Sequence, residues 1–286
     1  MVLCHMKNKK ITLFIYIFLI INVNYPVCYG QEVREFTVAV VPQYPKLIIH
    51  RSWMPLLNYL SKRTGISLQL KHYQNITEFG ADVKKGAVDF AYMNPYQAVV
   101  AKKSQGYIPL IKDSGRKLKG ILVVHHDSPI QSIDELSGKL VAFPSPNAFA
   151  ASLFTRALLA EQGIKVIPEY VTTHANVYRH VILKKVAAGS GIHRTLNKES
   201  DPIKKQLRII FETPGSAPHP LGVHPRVPSE VQQAISTAII KLAGDSKNHH
   251  LLDAVQIPRP VLADYARDYL PLEKLDFEEF SSATEK

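Results

Sequence analysis

The sequence predicts an α/β protein of two lobes, each a mostly parallel sheet flanked by helices. Apolar runs alternate with amphipathic segments from about residue 36 to residue 242. Several of these runs are almost continuously apolar, as in strands that are covered on both faces. The chain has 286 residues, of which 46% are hydrophobic, so it can form two lobes of about 100–150 residues each. This composition excludes a disordered, collagenous or disulfide-stapled protein.

The first half of the chain alternates between strands and helices. The predicted strands are residues 36–41, 66–71 and 88–93. The predicted helices lie around residues 53–60, 76–85 and 95–103. Asn94 and Pro95 follow the third strand directly, and these residue types are favoured at the N-cap and the first helical position. We therefore expect a helix that starts immediately after a strand at this point.

The second half repeats the alternation and predicts a second lobe. Its extended segments are residues 119–125, 139–143, 164–170 and 207–211. Its main helices are residues 148–162, a segment from 174 through 186, and a segment beginning at Ser229. Two capping boxes, at residues 132–135 and 229–232, mark helix starts. A helix and a tail are expected after Gly244.

The first thirty residues have the pattern of a secretory signal peptide. Three lysines precede an apolar run over residues 11–23, and Cys28 and Gly30 suit a cut before Gln31. Removal of residues 1–30 lowers the formal net charge from +11 to +8 and removes both cysteines. We expect a thiol-free periplasmic protein. Membrane anchoring by the apolar run and acylation of Cys28 are the less favoured alternatives.

Two strand-to-helix junctions, residues 92–96 and 143–152, are the candidate ligand sites. Ligands of open α/β sheets bind beyond the carboxyl ends of strands, and helix starts there offer free N–H groups to anions. Each junction also carries aromatic and hydroxyl side chains. Ordinary helix capping is the alternative explanation at either junction taken alone.

The chain also resembles a known family over most of its length. The resemblance rests on VPxYP at residues 41–45, WxPLxxYL at 53–60, GxxDFAYxNPY at 86–96 and SxxELxGKxVAF at 132–143. Their order and spacing resemble the periplasmic phosphate-, phosphite- and phosphonate-binding proteins. This resemblance implies a type II fold in which two crossing strands join the lobes and the lobes close on an oxyanion. The implied first lobe is residues 31–115 and 225–286, and the second is residues 116–224.

The resemblance further implies a receptor that delivers a small anionic ligand to an ABC permease in the inner membrane. We expect no cofactor, no metal site and a monomeric protein. The ligand-binding residues expected from the cleft position and the matched motifs are Tyr44, Asn94, Tyr96, Ser145, Asn147, Ala148, Phe149, Ser152, His174, Tyr178 and His219. For His174 and His219, a structural role and a ligand contact both remain open.

The chain departs from the family pattern at two places. Family members resemble one another in a Ser/Thr-Ser/Thr-Gly run at the second-lobe helix start, but residues 147–152 read NAFAAS here. Many members also have an aspartate near the position of residues 189–192, which read GSGI. The expected contacts are mostly neutral, with few fixed cations. These differences leave the ligand open and make a larger or less charged organic anion plausible.

Other functions have less support in the sequence. Basic residues are scattered in pairs rather than forming a stripe with stacking aromatics, which argues against nucleic-acid binding. The mature chain would have no cysteine, and no G-x-S-x-G, H-E-x-x-H or Gly-rich phosphate motif is present. An enzyme on the same fold is therefore unfavoured. A sensor partner of a membrane histidine kinase remains an alternative to the import receptor.

Overall fold

A computed structural model describes residues 34–275, together with Phe277 and Phe280. The expected signal peptide and the acylation alternative at Cys28 lie outside the described residues and stay predictions. Among the described helices, none is both long enough and apolar enough to cross a membrane.

The described chain is an alternation of strands and helices. Its strands are β1 Glu35–Val40, β2 Ser67–Lys71, β3 Phe90–Tyr92, β4 Ile108–Asp113, β5 Gly120–His125, β6 Leu140–Phe143, β7 Ile167–Tyr170, β8 Ala188–Ile192, β9 Leu207–Glu212, β10 Leu221–Val223 and β11 Pro260–Leu262. Its α-helices are α1 Lys46–Thr64, α2 Ile76–Lys84, α3 Pro95–Gln105, α4 Phe154–Glu161, α5 His174–Ile182, α6 His193–Leu196, α7 Asp201–Lys204, α8 Ser229–Leu242, α9 His250–Ala254 and α10 Tyr265–Asp268. There are also 3₁₀ turns at Ile133–Leu136 and Leu270–Lys274, and a π-helical turn at Phe149–Leu153.

The strands form two separate mixed sheets. The first has the order β11-β4-β10-β3-β1-β2, and the second has the order β7-β6-β8-β5-β9. In the first sheet β1, β2 and β3 are parallel, whereas β10 and β11 run antiparallel to their neighbours. In the second sheet β6, β7 and β8 are parallel, and β5 is antiparallel to β8 and β9. The α/β class and the two-sheet arrangement agree with the sequence prediction.

The chain crosses between the sheets twice, after β4 and after β9. The two crossing segments pair with each other at Leu118 and Ser216, whose backbone groups exchange hydrogen bonds of 2.9 Å in both directions. This paired connection joins the two sheets.

Local sequence accounts for the elements that carry the site. Asn94 caps α3, because its side chain accepts from the Gln97 N–H (2.8 Å) and the Gln97 side chain accepts from the Asn94 N–H (3.1 Å). Pro95 occupies the start of the helix as predicted. Helix α1 buries an apolar face that includes Trp53 and Leu60. Gly65 ends α1 in the left-handed conformation that glycine adopts most easily.

The structure corrects several details of the sequence prediction. Strand β10, Leu221–Val223, pairs with β3 and β4 in the first sheet, although we placed these residues in the second lobe. Because β10 is buried between β3 and β4, the chain has already returned to the first sheet at Leu221. Helix α8 has Pro228 at its N-cap and no side-chain capping bond there, so the box predicted at Ser229 is wrong. Strands β4, β8, β10 and β11 were not predicted. The remaining lobe boundaries stay a prediction.

Candidate ligand-binding site

Loops from corresponding edges of the two sheets carry most of the expected site residues. In the first sheet, Tyr44 follows β1, Asn94 follows β3, and His219 precedes the antiparallel strand β10. In the second sheet, the loop 144–148 follows β6, and His174 follows β7. Because β1 and β3 are parallel and β6 and β7 are parallel, each set of loops shares one edge of its sheet.

One direct contact joins the two predicted junctions. The Asn94 side-chain amide donates to the backbone oxygen of Asn147, with a nitrogen–oxygen distance of 3.4 Å. Asn94 is almost fully buried. The Oδ1 atom of Asn147 is buried and has no hydrogen-bond partner among the described residues. A buried polar atom without a partner costs free energy, so this oxygen is a candidate ligand contact.

Around Tyr44 the two sheets meet at a cavity of about 240 Å³, a little smaller than the roughly 300–1,000 Å³ of typical small-molecule pockets. Its lining includes Tyr44, Tyr92, Arg194, Lys198 and Gln256. The Arg194 guanidinium carbon lies 6.0 Å from the centre of the Tyr44 ring, and the Lys198 amine lies 5.9 Å from it. Arg194 also donates a hydrogen bond to the Gln256 side-chain oxygen. These contacts place a cation beside an aromatic ring.

Two neighbouring side chains contact His219 in this region. Its ring stacks on Tyr92 with 5.5 Å between centroids and 28° between planes. Its Nε2 atom is in hydrogen-bond contact with the Gln43 side-chain nitrogen. Burial, together with the charge of Arg194, lowers the pKa of His219 to about 3. His219 is therefore neutral at pH 7, and Nε2 can accept from Gln43 when the ring proton is on Nδ1.

His174 lies at the first position of α5 and is half-buried. Its Nδ1 atom is buried and has no partner among the described residues. Burial and then the Arg194 charge lower its pKa to about 4. A neutral imidazole can donate one hydrogen bond to an anion without carrying a charge of its own.

Two residues near this region have unusual backbone φ angles. Thr172, two residues before His174, has φ +69°, and Gln256, which contacts Arg194, has φ +68°. Such angles are uncommon for residues other than glycine, and especially so for a β-branched residue such as threonine. They cost about 1–3 kcal/mol each and persist only where the surroundings fix them. Their positions beside the candidate ligand contacts are consistent with a functional site.

Several of the other predicted residues lie close to these contacts. Tyr96 packs edge-on against Phe277 with 5.3 Å between ring centroids. Together with Asn94 and Asn147, it lines a second cavity of about 380 Å³ between α2 and α3. Ser145 and Ala148 lie in the loop after β6 and are half-buried.

Three predicted residues are instead enclosed by the protein. Phe149 is 4% exposed and stacks on Phe154, with ring centroids 5.4 Å apart. Ser152 is fully buried, and its hydroxyl accepts from Arg156 at 3.2 Å. Tyr178 is fully buried in the core of the second sheet, where its hydroxyl bonds to the Thr195 hydroxyl at 2.7 Å. The hydroxyl groups of Ser152 and Tyr178 are thus already used inside the protein.

The predicted helix over residues 148–162 starts with a π-helical turn. The Leu153 N–H donates to the Ala148 oxygen (3.0 Å), five residues back. Ala148 is the N-cap and makes no side-chain capping bond. The first N–H groups of a helix have no intrahelical partner, and π turns often occur at functional sites. This helix start could therefore receive an anion next to Asn147.

Arg194 is the main residue that sequence reasoning missed. It follows β8 at the same edge as the loop after β6, because β6 and β8 are parallel. We expected few fixed cations at the site, and the structure places one beside Tyr44. The available signal was a basic residue shortly after a possible strand end, but the GSGI segment did not predict a strand.

One cluster of metal-ligating side chains lies elsewhere. Ligand atoms of His125, His126 and Asp127 lie within 4.8 Å of one another. His125 ends β5, whereas the site adjoins the opposite end, where β5 begins at Gly120. His126 and Asp127 are exposed and pair with each other at 2.9 Å. This cluster is separate from the candidate ligand contacts.

Comparison with known proteins decides the family. The family described as "ABC transporter, phosphonate, periplasmic substrate-binding protein" matches residues 38–269 of this chain. The chain belongs to this family. Its members are solute-binding proteins and not enzymes, and the predicted class of protein is therefore confirmed.

Individual relatives are distant in sequence. The phosphate-import protein PhnD of Mycolicibacterium smegmatis is 26% identical over 139 residues, which are 46% of this chain and 43% of that protein. The chain therefore matches less than half the length of this relative. PhnD1 of Prochlorococcus marinus, solved in complex with methylphosphonate, has a TM-score of 0.73 at 14% identity, covering 86% of this chain and 98% of PhnD1.

A second solved structure is a binding protein component of an ABC phosphonate transporter from Pseudomonas aeruginosa. Its TM-score is 0.70 at 15% identity, and the match covers 87% of both chains. At these identities the two structures establish the shared fold and leave the ligand of this chain to be argued from its own residues.

Proposed function

We propose that this protein captures a phosphonate-type oxyanion between its two sheets and delivers it to an ABC importer. Support comes from the family and from a contact between polar groups of the two sheets. The observation that carries the proposal is the contact between Asn94 and Asn147, with the unpartnered buried oxygen of Asn147 beside it. A ligand hydroxyl would satisfy that oxygen, and free helix N–H groups would receive the anionic oxygens.

The expected chemistry is anion capture by neutral donors and one guanidinium. His174 and His219 are neutral at pH 7, so each can offer an N–H without attracting a counter-ion. Arg194 adds the positive charge that a phosphonate requires. In a half-buried site, such charge-assisted hydrogen bonds are stronger than bonds between neutral groups.

The proposed motion is closure of two lobes about the paired crossing segments. Residues 31–115 and 225–286 would move against residues 116–224, with the β10 strand remaining in the first sheet. The hinge would lie near residues 112–119 and 212–222. Contacts such as Asn94–Asn147 join the two sides and would have to break when the lobes open.

Export completes the proposal. The signal peptide would be cut before Gln31, and the monomeric mature protein would dock on an inner-membrane permease after ligand closure. Mass spectrometry of the protein recovered from the periplasm measures the mature N-terminus. A chain that retains residues 1–30, or one that is acylated at Cys28, would contradict cleavage before Gln31.

Calorimetry and thermal unfolding test the ligand. The mature protein is titrated with methylphosphonate, phosphite and phosphate, and with sulfate as a comparison anion. We expect saturable binding and a higher unfolding temperature for at least one phosphorus oxyanion. The absence of binding by all three would refute the proposal.

Two variants and one control test the location of the site. Asn147→Ala and His174→Gln each remove a buried atom that has no hydrogen-bond partner among the described residues. Each should weaken binding about 10-fold or more, because a hydrogen bond to a charged group contributes roughly 1.5–3 kcal/mol. His126→Gln, at the far end of the second sheet, should leave the affinity unchanged. Wild-type affinity in both site variants would refute the proposed location.

A further inference from the structure

Arg194 lies beside Tyr44 in the cavity of about 240 Å³, and its charge acts on His174 and His219. It comes two residues after β8, within the short helix α6, and its side chain is half-buried. Its partners Tyr44 and Gln256 come from the side of the first sheet, whereas Arg194 itself belongs to the side of the second. The guanidinium is therefore held between the two sheets. Among the described residues, Gln256 is the hydrogen-bond acceptor of this guanidinium, so the other N–H groups of its five are available to a ligand.

The cavity around this guanidinium is lined by positively charged and neutral residues. Arg194 and Lys198 line the cavity of about 240 Å³, and its described lining residues include no aspartate or glutamate. Asp113, at the end of β4, is a buried carboxylate on the side of the first sheet. Asp113 accepts from the Arg259 backbone N–H at 2.9 Å and lies 3.8 Å from the Arg116 side chain.

A second carboxylate near the crossing segments is also engaged. Glu212, at the end of β9, pairs with Lys119 and His193. Each of these carboxylates lies beside another basic side chain, and neither lines the cavity that Arg194 lines, although the Asp113 Oδ2 atom has no hydrogen-bond partner among the described residues. Burial, and after it the charge of Arg194, lowers the pKa values of His174 and His219, so both histidines are neutral at pH 7.

We propose that Arg194 is the charge partner of the ligand and makes this site selective for phosphonates without an ammonium group. The inference rests on the proposed function and adds the class of ligand to it. A guanidinium presents two parallel N–H groups that match two phosphonate oxygens. An ammonium group on the ligand would be repelled by the same guanidinium and would find no carboxylate in the cavity, so its desolvation would not be compensated.

A pair of probes of the same size tests this selectivity. 2-Aminoethylphosphonate and n-propylphosphonate have the same number of heavy atoms and differ in an ammonium against a methyl group. Calorimetry on the wild-type mature protein should give at least about 10-fold tighter binding of propylphosphonate, or binding of methylphosphonate with no binding of the aminoethyl compound. Equal or tighter binding of the aminoethyl compound would overturn the inference without any variant.

Variants at Arg194 test the residue itself. Arg194→Gln should weaken methylphosphonate binding about 10- to 100-fold, because it removes charge-assisted hydrogen bonds. Arg194→Lys keeps the charge but not the paired donors, so its affinity for methylphosphonate should lie between those of the wild type and Arg194→Gln. Arg179→Gln is the matched control, since Arg179 is half-exposed on α5 and lies 3.8 Å from Glu199. Circular dichroism establishes that each variant is folded.

The outcomes separate the two proposals. If the wild type binds no phosphonate, phosphite or phosphate, the proposed function fails. If the wild type binds these anions and folded Arg194→Gln binds them equally well, the function stands and the assignment of Arg194 is wrong.

Discussion

The Gly120→Ala substitution tests how closely the candidate ligand-binding helix start packs on the second sheet. Gly120 is the first residue of β5. A Cβ atom at this position would lie 2.1 Å from the Ala150 backbone oxygen and 2.6 Å from the Thr155 hydroxyl. Because Ala150 belongs to the π-helical turn, a rotamer change cannot relieve the first contact. The helix start would have to move by about 1 Å.

The cost of this movement has two parts. Overpacking of a close contact costs about 1–3 kcal/mol. The shift also disturbs the bond from the Thr155 hydroxyl to the Ala150 oxygen (2.8 Å), which contributes about 1 kcal/mol. We therefore expect Gly120→Ala to lower the free energy of unfolding by about 2–4 kcal/mol. For a chain of this size that corresponds to a fall in Tm of roughly 4–16 °C.

Urea unfolding followed by circular dichroism measures the effect. Gly80→Ala is the matched control, because Gly80 lies inside α2 and its added Cβ would meet nothing closer than the Gln97 side-chain nitrogen at 4.0 Å. This control should be stabilised by about 0.5–1 kcal/mol, since alanine favours the helix. If Gly120→Ala unfolds within about 0.5 kcal/mol of the wild type, the close approach is absent and the reasoning is refuted.

The remaining predictions concern pH, a buried ion pair and a buried arginine. His174 and His219 have lowered pKa values of about 4 and about 3, so below pH 6.5 the unfolded state binds more protons than the folded state. The free energy of unfolding should therefore fall as the pH drops from 6.5 to 4. Each histidine contributes up to about 1.4 kcal/mol per pH unit to this fall. A urea midpoint that is flat over this range, or that does not become flatter in His219→Gln, would contradict this. The Asp89 carboxylate accepts hydrogen bonds from the Thr37 backbone and hydroxyl and from Arg226, so Asp89→Ala should lower the free energy of unfolding by about 3 kcal/mol. The control Asp201→Ala, at an exposed residue, should lower it by less than about 0.5 kcal/mol. Similar losses in both variants would be inconsistent with a structural role for Asp89. Arg156 is 5% exposed and donates to the Pro146 and Phe280 backbone oxygens at 3.0 and 2.7 Å. Arg156→Met should lower the free energy of unfolding by about 2 kcal/mol and weaken phosphonate binding, because the loop before α4 loses these hydrogen bonds. An unchanged affinity would show that this loop does not need Arg156.

The sequence predicted the parts of the fold where local pattern and tertiary structure agree. Asn94 and Pro95 have the residue types of a helix start, and α3 begins there with both capping bonds. The continuous apolar runs predicted β1, β5 and β6, because strands covered on both faces need apolar side chains throughout. The family motifs predicted the type of protein, and they lie on α1, β3 and β6 and in the loops beside them.

Only the tertiary structure identified strand β8 and the arginine that follows it. Strand β8 is the small-residue segment AGSGI, which lacks an apolar strand signature. A Cβ at Gly189 would lie 2.5 Å from Val177, and one at Gly191 would lie 2.2 Å from the Tyr178 hydroxyl. Glycine is therefore required because α5 packs directly on the strand, a condition that is invisible until the helix and the sheet are placed together.

Packing also determined which polar groups remain available to a ligand. The hydroxyl groups of Ser152 and Tyr178 matched the expected chemistry, yet Arg156 and Thr195 engage them inside the core. The sequence by itself determined an α/β solute-binding family and two helix-start junctions. The three-dimensional arrangement decided that Arg194 lies between the sheets beside Tyr44, because residues from distant segments become neighbours only after the strands pair and the chain crosses twice.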